Sequence, residues 1–242
     1  MGPHEGARMK GAVLVLGGAS EIGFGIARGY AARGHVVHLA ARNVRRLEPL
    51  VADLKLRGAP AATAHEWDVL DYGATEKLLD ALDPAPAIVV CAVGLLTSPD
   101  TDLLFRTNFN GPALALEAAA RRLEATGRGL IIGLSSVAGD RGRSGNPLYG
   151  PAKSGFTSYL SALRNRLFRS GVRVMTVKPG PVATRMLTKR PPFTCTVDDV
   201  TRAVLKADDR GRDVVYVRWI WWPIMTAIRL LPEPLFKRLT LG

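Results

Sequence analysis

The chain has 242 residues, 47% of them hydrophobic, and a formal net charge of +12. That length and apolar share suit one large α/β unit and exclude a disordered or repetitive chain. Two cysteines, Cys91 in an apolar run and Cys195 in a loop, give no disulfide framework and no metal-ligand spacing, so no metal is expected and a reducing, cytoplasmic setting is. The charge is uneven: residues 1–120 carry 11 basic and 13 acidic side chains, residues 121–242 carry 22 and 8. Such a bias suits nucleic acid, an anionic membrane surface or a phosphorylated substrate. Arginines and aromatics are not interleaved as in a nucleic-acid module, so no nucleic-acid partner is expected, and an arginine-rich composition alone accounts for the charge equally well.

Residues 1–9, MGPHEGARM, have no apolar stretch of the signal-peptide kind and read as a flexible N-terminus ahead of a domain over 10–217. Gly11 to Leu16 is a short apolar run without alternation, the pattern of a strand buried on both faces of a parallel sheet. It leads into GGASEIGFGIARGY, where Ile22, Ile26 and Tyr30 recur at helical spacing. Strand, glycine turn and helix in that order make a phosphate site: Gly17 allows the sharp turn, Gly23 allows helix and strand to approach, and N–H groups at the helix start would face a pyrophosphate.

A second strand, His35 to Ala41, ends in Arg42 and not in an acid, which favours NADP(H) over NAD(H), because arginine pairs with a 2′-phosphate where a carboxylate would bind ribose hydroxyls. A helix is expected over 43–57, then a third strand ending at Trp67, Asp68 and Val69; Asp68 would sit near adenine or else cap the next helix. The fourth strand, Ala87 to Val93, closes at Gly94, where a ribose would lie. A long helix over about 102–125 contains Asn108, an unfavourable interior residue unless it faces solvent or its side chain, or an opened backbone, holds a water. Gly129 to Leu134 is a fifth strand and carries Ser135 and Ser136 at its end.

Thirteen residues past Ser136 stands Tyr149, and four further on Lys153. If Pro151 and Ala152 open a helix, phenol and amine share one face a turn apart, and the cation can stabilise a phenolate. A sixth strand, Val172 to Val177, ends in the stiff turn Pro179-Gly180-Pro181-Val182-Ala183-Thr184, which would press Val182 on a nicotinamide and offer Thr184 to its carboxamide; the plain reading is a proline-stiffened loop. Arg185 to Phe193 lies where a substrate lid would be, Thr196 and Asp199 form a capping box for a helix through Ala207, and Asp213 to Val217 is a last strand. Residues 218–242 bring three tryptophans in four residues with Arg218, Arg229, Lys237 and Arg238. The apolar stretch between Arg218 and Arg229 is too short to span a bilayer, and the tail suits either peripheral contact with a membrane interface or a cover over a substrate cleft or dimer seam.

Together the turn at Gly17, Asp68, Asn108, Ser136 with Tyr149-x-x-x-Lys153, and Pro179-Gly180 with Thr184 resemble the short-chain dehydrogenase/reductase family from about Lys10 onward. The resemblance implies a single doubly wound, Rossmann-type parallel sheet of about seven strands and an NAD(P)(H)-dependent oxidoreductase acting on a ketone. In it Tyr149 is the proton donor or acceptor, Ser136 orients the carbonyl, Lys153 binds the nicotinamide ribose and depresses the tyrosine pKa, and Asn108 anchors a water. The cofactor would lie on Gly17, Ser20, Glu21, Ile22 and Gly23 of the turn, on Arg42, Asp68 and Val69, on Ala92 and Gly94, on Tyr149 and Lys153, and on Pro179, Gly180, Val182 and Thr184. Members commonly assemble as homodimers or homotetramers through their long helices.

Two departures stand out: Leu16 and Glu21 replace the threonine and middle glycine of the usual turn, and Cys91-Ala92-Val93-Gly94 replaces the usual Asn-Asn-Ala-Gly. A glutamate beside a pyrophosphate is unfavourable unless it turns away or reaches ribose or a base. Within the family, the GGASEIG turn, the segment Val93 to Leu96 and the tryptophan-rich tail resemble reductases of a keto-sugar carried on a polyprenyl phosphate, which makes a lipid-linked ketone the expected substrate. Ketoreductases of acyl-carrier thioesters or steroid-like ketones are the alternative, and a non-catalytic dinucleotide-sensing scaffold is a rival of another class.

Overall fold

The computed structural model describes residues 11–187 and 191–239, so the N-terminal segment 1–9, residues 188–190 of the lid and the last three of the tail lie outside the described residues. Seven strands, β1 (Ala12–Leu16), β2 (Val37–Ala41), β3 (Ala62–Glu66), β4 (Pro86–Cys91), β5 (Gly129–Leu134), β6 (Val172–Lys178) and β7 (Val214–Tyr216), form one sheet in the order β3-β2-β1-β4-β5-β6-β7. Every pairing is parallel. The chain reverses direction between β1 and β4, the point at which open sheets of this kind hold ligands outside their C-terminal edge.

Continuous apolar runs fill both faces of the sheet. Val13 and Val15 of β1, Val37 and Leu39 of β2 and Ile88 and Val90 of β4 face α1 (Glu21–Ala31), α2 (Glu48–Leu56) and, through Val200 and Val204, α7 (Val197–Asp209). Their neighbours Leu14, Leu16, Ala40, Val89 and Cys91 face α3 (Ala74–Ala81), α5 (Gly111–Thr126) and α6 (Tyr149–Leu167). All of these strand residues are 0–1% exposed, so each strand lacks the polar alternation a one-sided sheet would show.

Local chemistry sets the element ends. Ser20 caps α1 by accepting from Gly23 N at 3.0 Å, and Thr196 and Asp199 form the expected capping box of α7. The helix expected over 43–57 is instead a 3₁₀ turn, Val44–Arg46, followed by α2, whose Pro49 sits in the first turn where its missing N–H costs nothing. The helix expected over 102–125 runs from α4 (Thr101–Phe105) through a π turn, Arg106–Asn110, into α5. Asn108 is fully buried in that turn. Its Nδ2 donates to Leu104 O at 3.0 Å and to Leu95 O at 2.8 Å, and its Oδ1 accepts from Leu95 N at 3.1 Å. The wide turn frees a carbonyl, and the asparagine amide takes it up while tying the helix to the loop after β4. Of the options open to Asn108, solvent exposure is overturned and the opened backbone is present.

The tail forms α8 (Trp221–Leu230) and α9 (Glu233–Phe236) and packs on the body. Arg141 holds it down: its guanidinium donates to Ile228 O and Leu231 O, both at 2.6 Å, pairs with Glu233 at 2.8 Å, and lies 3.7 Å over the Phe236 ring. Among the described residues no helix is long and apolar enough to cross a membrane.

Candidate active site

Four strand ends build the site. At β1, Gly17 adopts φ +82, and both Gly17 N and Gly18 N donate to Ala40 O at the end of β2. The turn is closed so tightly that a Cβ on Gly23 would come 2.6 Å from Gly17 O and 2.8 Å from Ser20 Oγ, a space only glycine leaves. Ser20 Oγ donates to Gly17 O at 2.8 Å, which spends that side chain inside the turn. Glu21 and Ile22, whose first-turn N–H groups have no carbonyl within the helix to bind, line a cavity. Glu21 turns away: its carboxylate accepts from Arg185 N at 2.8 Å and lies 3.8 Å from the Arg185 guanidinium.

The cavity, about 720 Å³, extends from that helix start along the sheet edge to Tyr149. Of the residues expected at the cofactor and at the chemistry, it brings together Ser20, Glu21, Ile22, Ala92, Gly94, Ser136, Tyr149, Lys153, Pro179, Gly180, Val182 and Thr184. Gly17 and Gly23 lie beneath it as the turn itself. Arg42 follows β2 and is exposed, whereas Asp68 follows β3 and accepts from Leu70 N at 3.0 Å in a local turn. Gly73, and not Asp68, precedes α3, so the capping alternative for Asp68 falls. Val69 is buried against Gly111. These three residues are outside the cavity but on the same edge of the sheet, after β2 and β3 on one side of β1.

Tyr149 is the first residue of α6, two residues earlier than Pro151 suggested, because Gly150 N donates to Asn146 O and Ala152 N to Leu148 O, which extends the turn backward. Ser135 and Ser136 divide the work of adjacent positions on extended chain. Ser135 Oγ points into the body, donating to Lys153 O at 3.1 Å and sharing a 2.6 Å hydrogen bond with Thr157 of α6. Ser136 faces the cavity and caps a short 3₁₀ turn, Val137–Gly139, by accepting from Ala138 N. Ser135 N donates to Val177 O, and Val137 N to Pro179 O, so the serine loop and the proline loop move as one piece.

Lys153 is 2% exposed and directs Nζ at Leu134 O (3.0 Å) and Val93 O (3.3 Å), standing 5.9 Å from the Tyr149 ring centroid. Burial lowers its pKa to about 8. Burial also raises the Tyr149 pKa above its ordinary value, with a hydrogen bond from Ser136 acting the other way. At Tyr149 desolvation of the phenolate governs, and the Lys153 ammonium is engaged by the Leu134 and Val93 carbonyls. Asn108 lies behind the wall, with its Oδ1 and Lys153 Nζ each 3.3 Å from where a Cβ on Gly94 would be. It braces the Val93–Leu95 loop and stays out of the cavity.

Several residues that sequence reasoning passed over complete the wall. Arg143 and Asn146 come from the loop before α6, and Trp221 comes from α8. The Trp221 indole lies on Gly180, where any side chain would overlap it, and meets Phe193 edge-on at 6.1 Å between ring centroids. Phe193 holds a left-handed backbone, φ +62, which an L side chain adopts only where packing compensates. The described lid residues Arg185, Met186, Leu187, Pro191, Pro192 and Phe193 all border the cavity, as a substrate lid should. The tail thus covers the cleft through Trp221, while Trp219 (78%) and Trp222 (61%) are exposed. No local signal could have told the inward tryptophan from its neighbours.

Comparison with known proteins agrees with this geometry. The family model described as short chain dehydrogenase matches residues 11–193. A protein named as an uncharacterised oxidoreductase of Mycobacterium tuberculosis is 34% identical over 240 residues, covering 94% of this chain and 96% of its own. A second so named, from Streptomyces coelicolor, is 32% identical over 249 residues, covering 98% and 99%. A solved short-chain dehydrogenase of Sphingobium yanoikuyae, in complex with NADPH, superposes with a TM-score of 0.81 at 26% identity over 96% of each chain. The chain belongs to the short-chain dehydrogenase/reductase family and is an NAD(P)-dependent oxidoreductase.

Proposed function

We propose that this enzyme reduces a ketone on a sugar carried by a polyprenyl phosphate, with NADPH preferred over NADH, the reaction of a decaprenylphosphoryl-2-keto-erythro-pentose reductase. The observation that carries the ketone reductase reading is the sharing of one cavity by the first turn of α1 and by Ser136, Tyr149 and Lys153. Bound nicotinamide dinucleotide would supply hydride. Glu21 N and Ile22 N would hold its pyrophosphate, Gly94 and Lys153 its nicotinamide ribose, and Val182 and Thr184 its ring and carboxamide. Arg42, exposed at the end of β2 with no acid beside it in sequence, supports the NADPH preference.

Ser136 donates to the carbonyl oxygen, and Tyr149 gives its proton to the alkoxide as charge develops there. The phenol carries its proton at neutral pH, as a general acid needs, and the Ser136 hydrogen bond works against the burial that weakens it as an acid. Asn108 braces the Val93–Leu95 loop beside Lys153, and the opened turn around it would hold a water close to that lysine. The polyprenyl reading is supported by the apolar lid residues and by the tail, where exposed Trp219, Trp222 and Leu230 stand beside exposed Arg218 and Arg229.

The test is oxidation of NADPH and of NADH in the presence of ketones that include a phospholipid-linked ketopentose, a 3-oxoacyl thioester and a steroid ketone. Turnover of the ketopentose with NADPH at a kcat/KM on the order of tenfold or more above the others supports the reading. Preference for the thioester moves the enzyme to the acyl-carrier alternative, and no turnover of any ketone removes the reductase reading.

A further inference from the structure

Cations in and around the substrate end of the cavity are of unequal standing, with Arg143, Lys153 and Arg185 on its wall. Arg141, two residues before Arg143, is taken by the tail carbonyls and Glu233. Arg185 is paired with Glu21, and Lys178 with Asp140, which also accepts from Tyr216 OH at 2.8 Å. Lys153 has its two carbonyls. Arg143 lines the cavity with a buried Nε that has no hydrogen-bond partner, and no acid among the described residues pairs with it. Asp140 acts on it only at a distance, with both of its oxygens already used. The Trp221 Nε1 donor is likewise buried and without a partner on the wall of the same cavity.

A half-buried guanidinium whose Nε–H is sealed from water without an acceptor is costly, and so is an orphaned indole N–H. Both are donors, so what is missing is an acceptor, and at Arg143 a negatively charged one. The position is also fixed relative to the chemistry. Asn146 N donates to Arg143 O and Gly150 N to Asn146 O, so the Arg143 turn is bonded to the first turn of α6, which carries Tyr149.

We propose that Arg143 is the anion anchor of the substrate site: the ketone this enzyme reduces carries an oxyanion, carboxylate or phosphate, which Arg143 binds while the carbonyl meets Tyr149. The inference rests on the reductase reading and narrows its substrate class. A phosphodiester-linked keto-sugar belongs to that class, and a neutral steroid ketone does not.

The experiment uses the full chain and three isosteric aryl ketones, 4-acetylbenzoate, 4-acetylphenyl phosphate and 4-acetylbenzamide, with NADPH. Wild type should favour one or both anions over the amide in kcat/KM, and Arg143→Gln should cut that preference by on the order of 10- to 100-fold, mostly through KM, with Arg143→Lys recovering part of it. Which anion is favoured distinguishes carboxylate from phosphate. Binding of benzoate and phenyl phosphate to the NADPH-loaded protein, followed by tryptophan fluorescence, should weaken in parallel in the glutamine variant. Equal preference in wild type, or a preference that survives Arg143→Gln, overturns the proposal. A merely structural role for Arg143 would lower all three ketones together. If none of the three is turned over, the binding arm still decides: loss of anion binding in Arg143→Gln upholds the anchor and unchanged binding overturns it, while the reductase reading stands or falls on the ketone panel above.

Discussion

Lys153 is a cation held by two backbone carbonyls in a site that excludes water, and burial brings its pKa to about 8 from the usual 10.5. Between those values the unfolded chain binds more protons than the folded one, so this residue adds stability as pH rises through the window and adds none below it. Compared with Lys153→Met, the wild-type protein should therefore gain on the order of 3 kcal/mol in unfolding free energy between pH 8 and pH 10.5, read from urea midpoints in parallel series. A constant difference across the window would mean that Lys153 is not a desolvated ammonium. At the glycine turn, Gly23→Ala would push a methyl against Gly17 O, and NADPH affinity should fall by about tenfold or more in a fluorescence titration. The catalytic spacing was legible because Tyr149 and Lys153 lie one turn apart on a helix, a local relation. Their environment was not: Lys153 is buried and held by the carbonyls of Leu134 and Val93, residues at least nineteen positions away that only the folded sheet assembles.

The serine loop, the proline loop and α8 form a mechanical unit. Arg141 ties the end of α8 to the loop after Ser136, and Trp221 at its start lies on Gly180 of the proline loop. Cutting that tie with Arg141→Ala should raise amide hydrogen exchange in residues 221–236 by on the order of tenfold and increase ketone KM more than NADPH Kd. Unchanged exchange would show that the tail is held by something else. Gly180→Ala attacks the same contact from the other side, since a methyl there overlaps the indole, and should release α8 with a loss of turnover. Apolar runs without alternation gave the strands to within two residues or so, because burial on both faces leaves a simple signature. The π turn was visible only as a misplaced asparagine, since its stabilising partner, Leu95, comes from a different loop.

At the scale of the molecule, the parallel sheet gathers its strand ends on one edge, and the tail closes the substrate side of that edge with one tryptophan while presenting two others outward. We propose that those exposed rings, flanked by Arg218 and Arg229, are the surface through which the enzyme meets an anionic bilayer. Co-sedimentation with phosphatidylglycerol vesicles should fall about tenfold in a Trp219→Ser, Trp222→Ser double variant, with neutral phosphatidylcholine vesicles binding weakly throughout. Equal sedimentation of both proteins would leave the tail as a cover alone. The tail's two faces explain why the sequence pointed equally to a membrane and to a cleft: both kinds of tryptophan occur within four residues.

The central claim is that the Tyr149 phenol protonates a ketone beside a dinucleotide held on the first turn of α1. Tyr149→Phe removes one oxygen and keeps the ring. With a ketone that the wild type turns over, the variant should lose at least about a hundredfold in kcat while its NADPH Kd, titrated by cofactor fluorescence, stays within about twofold. Retained turnover in the variant would contradict the account.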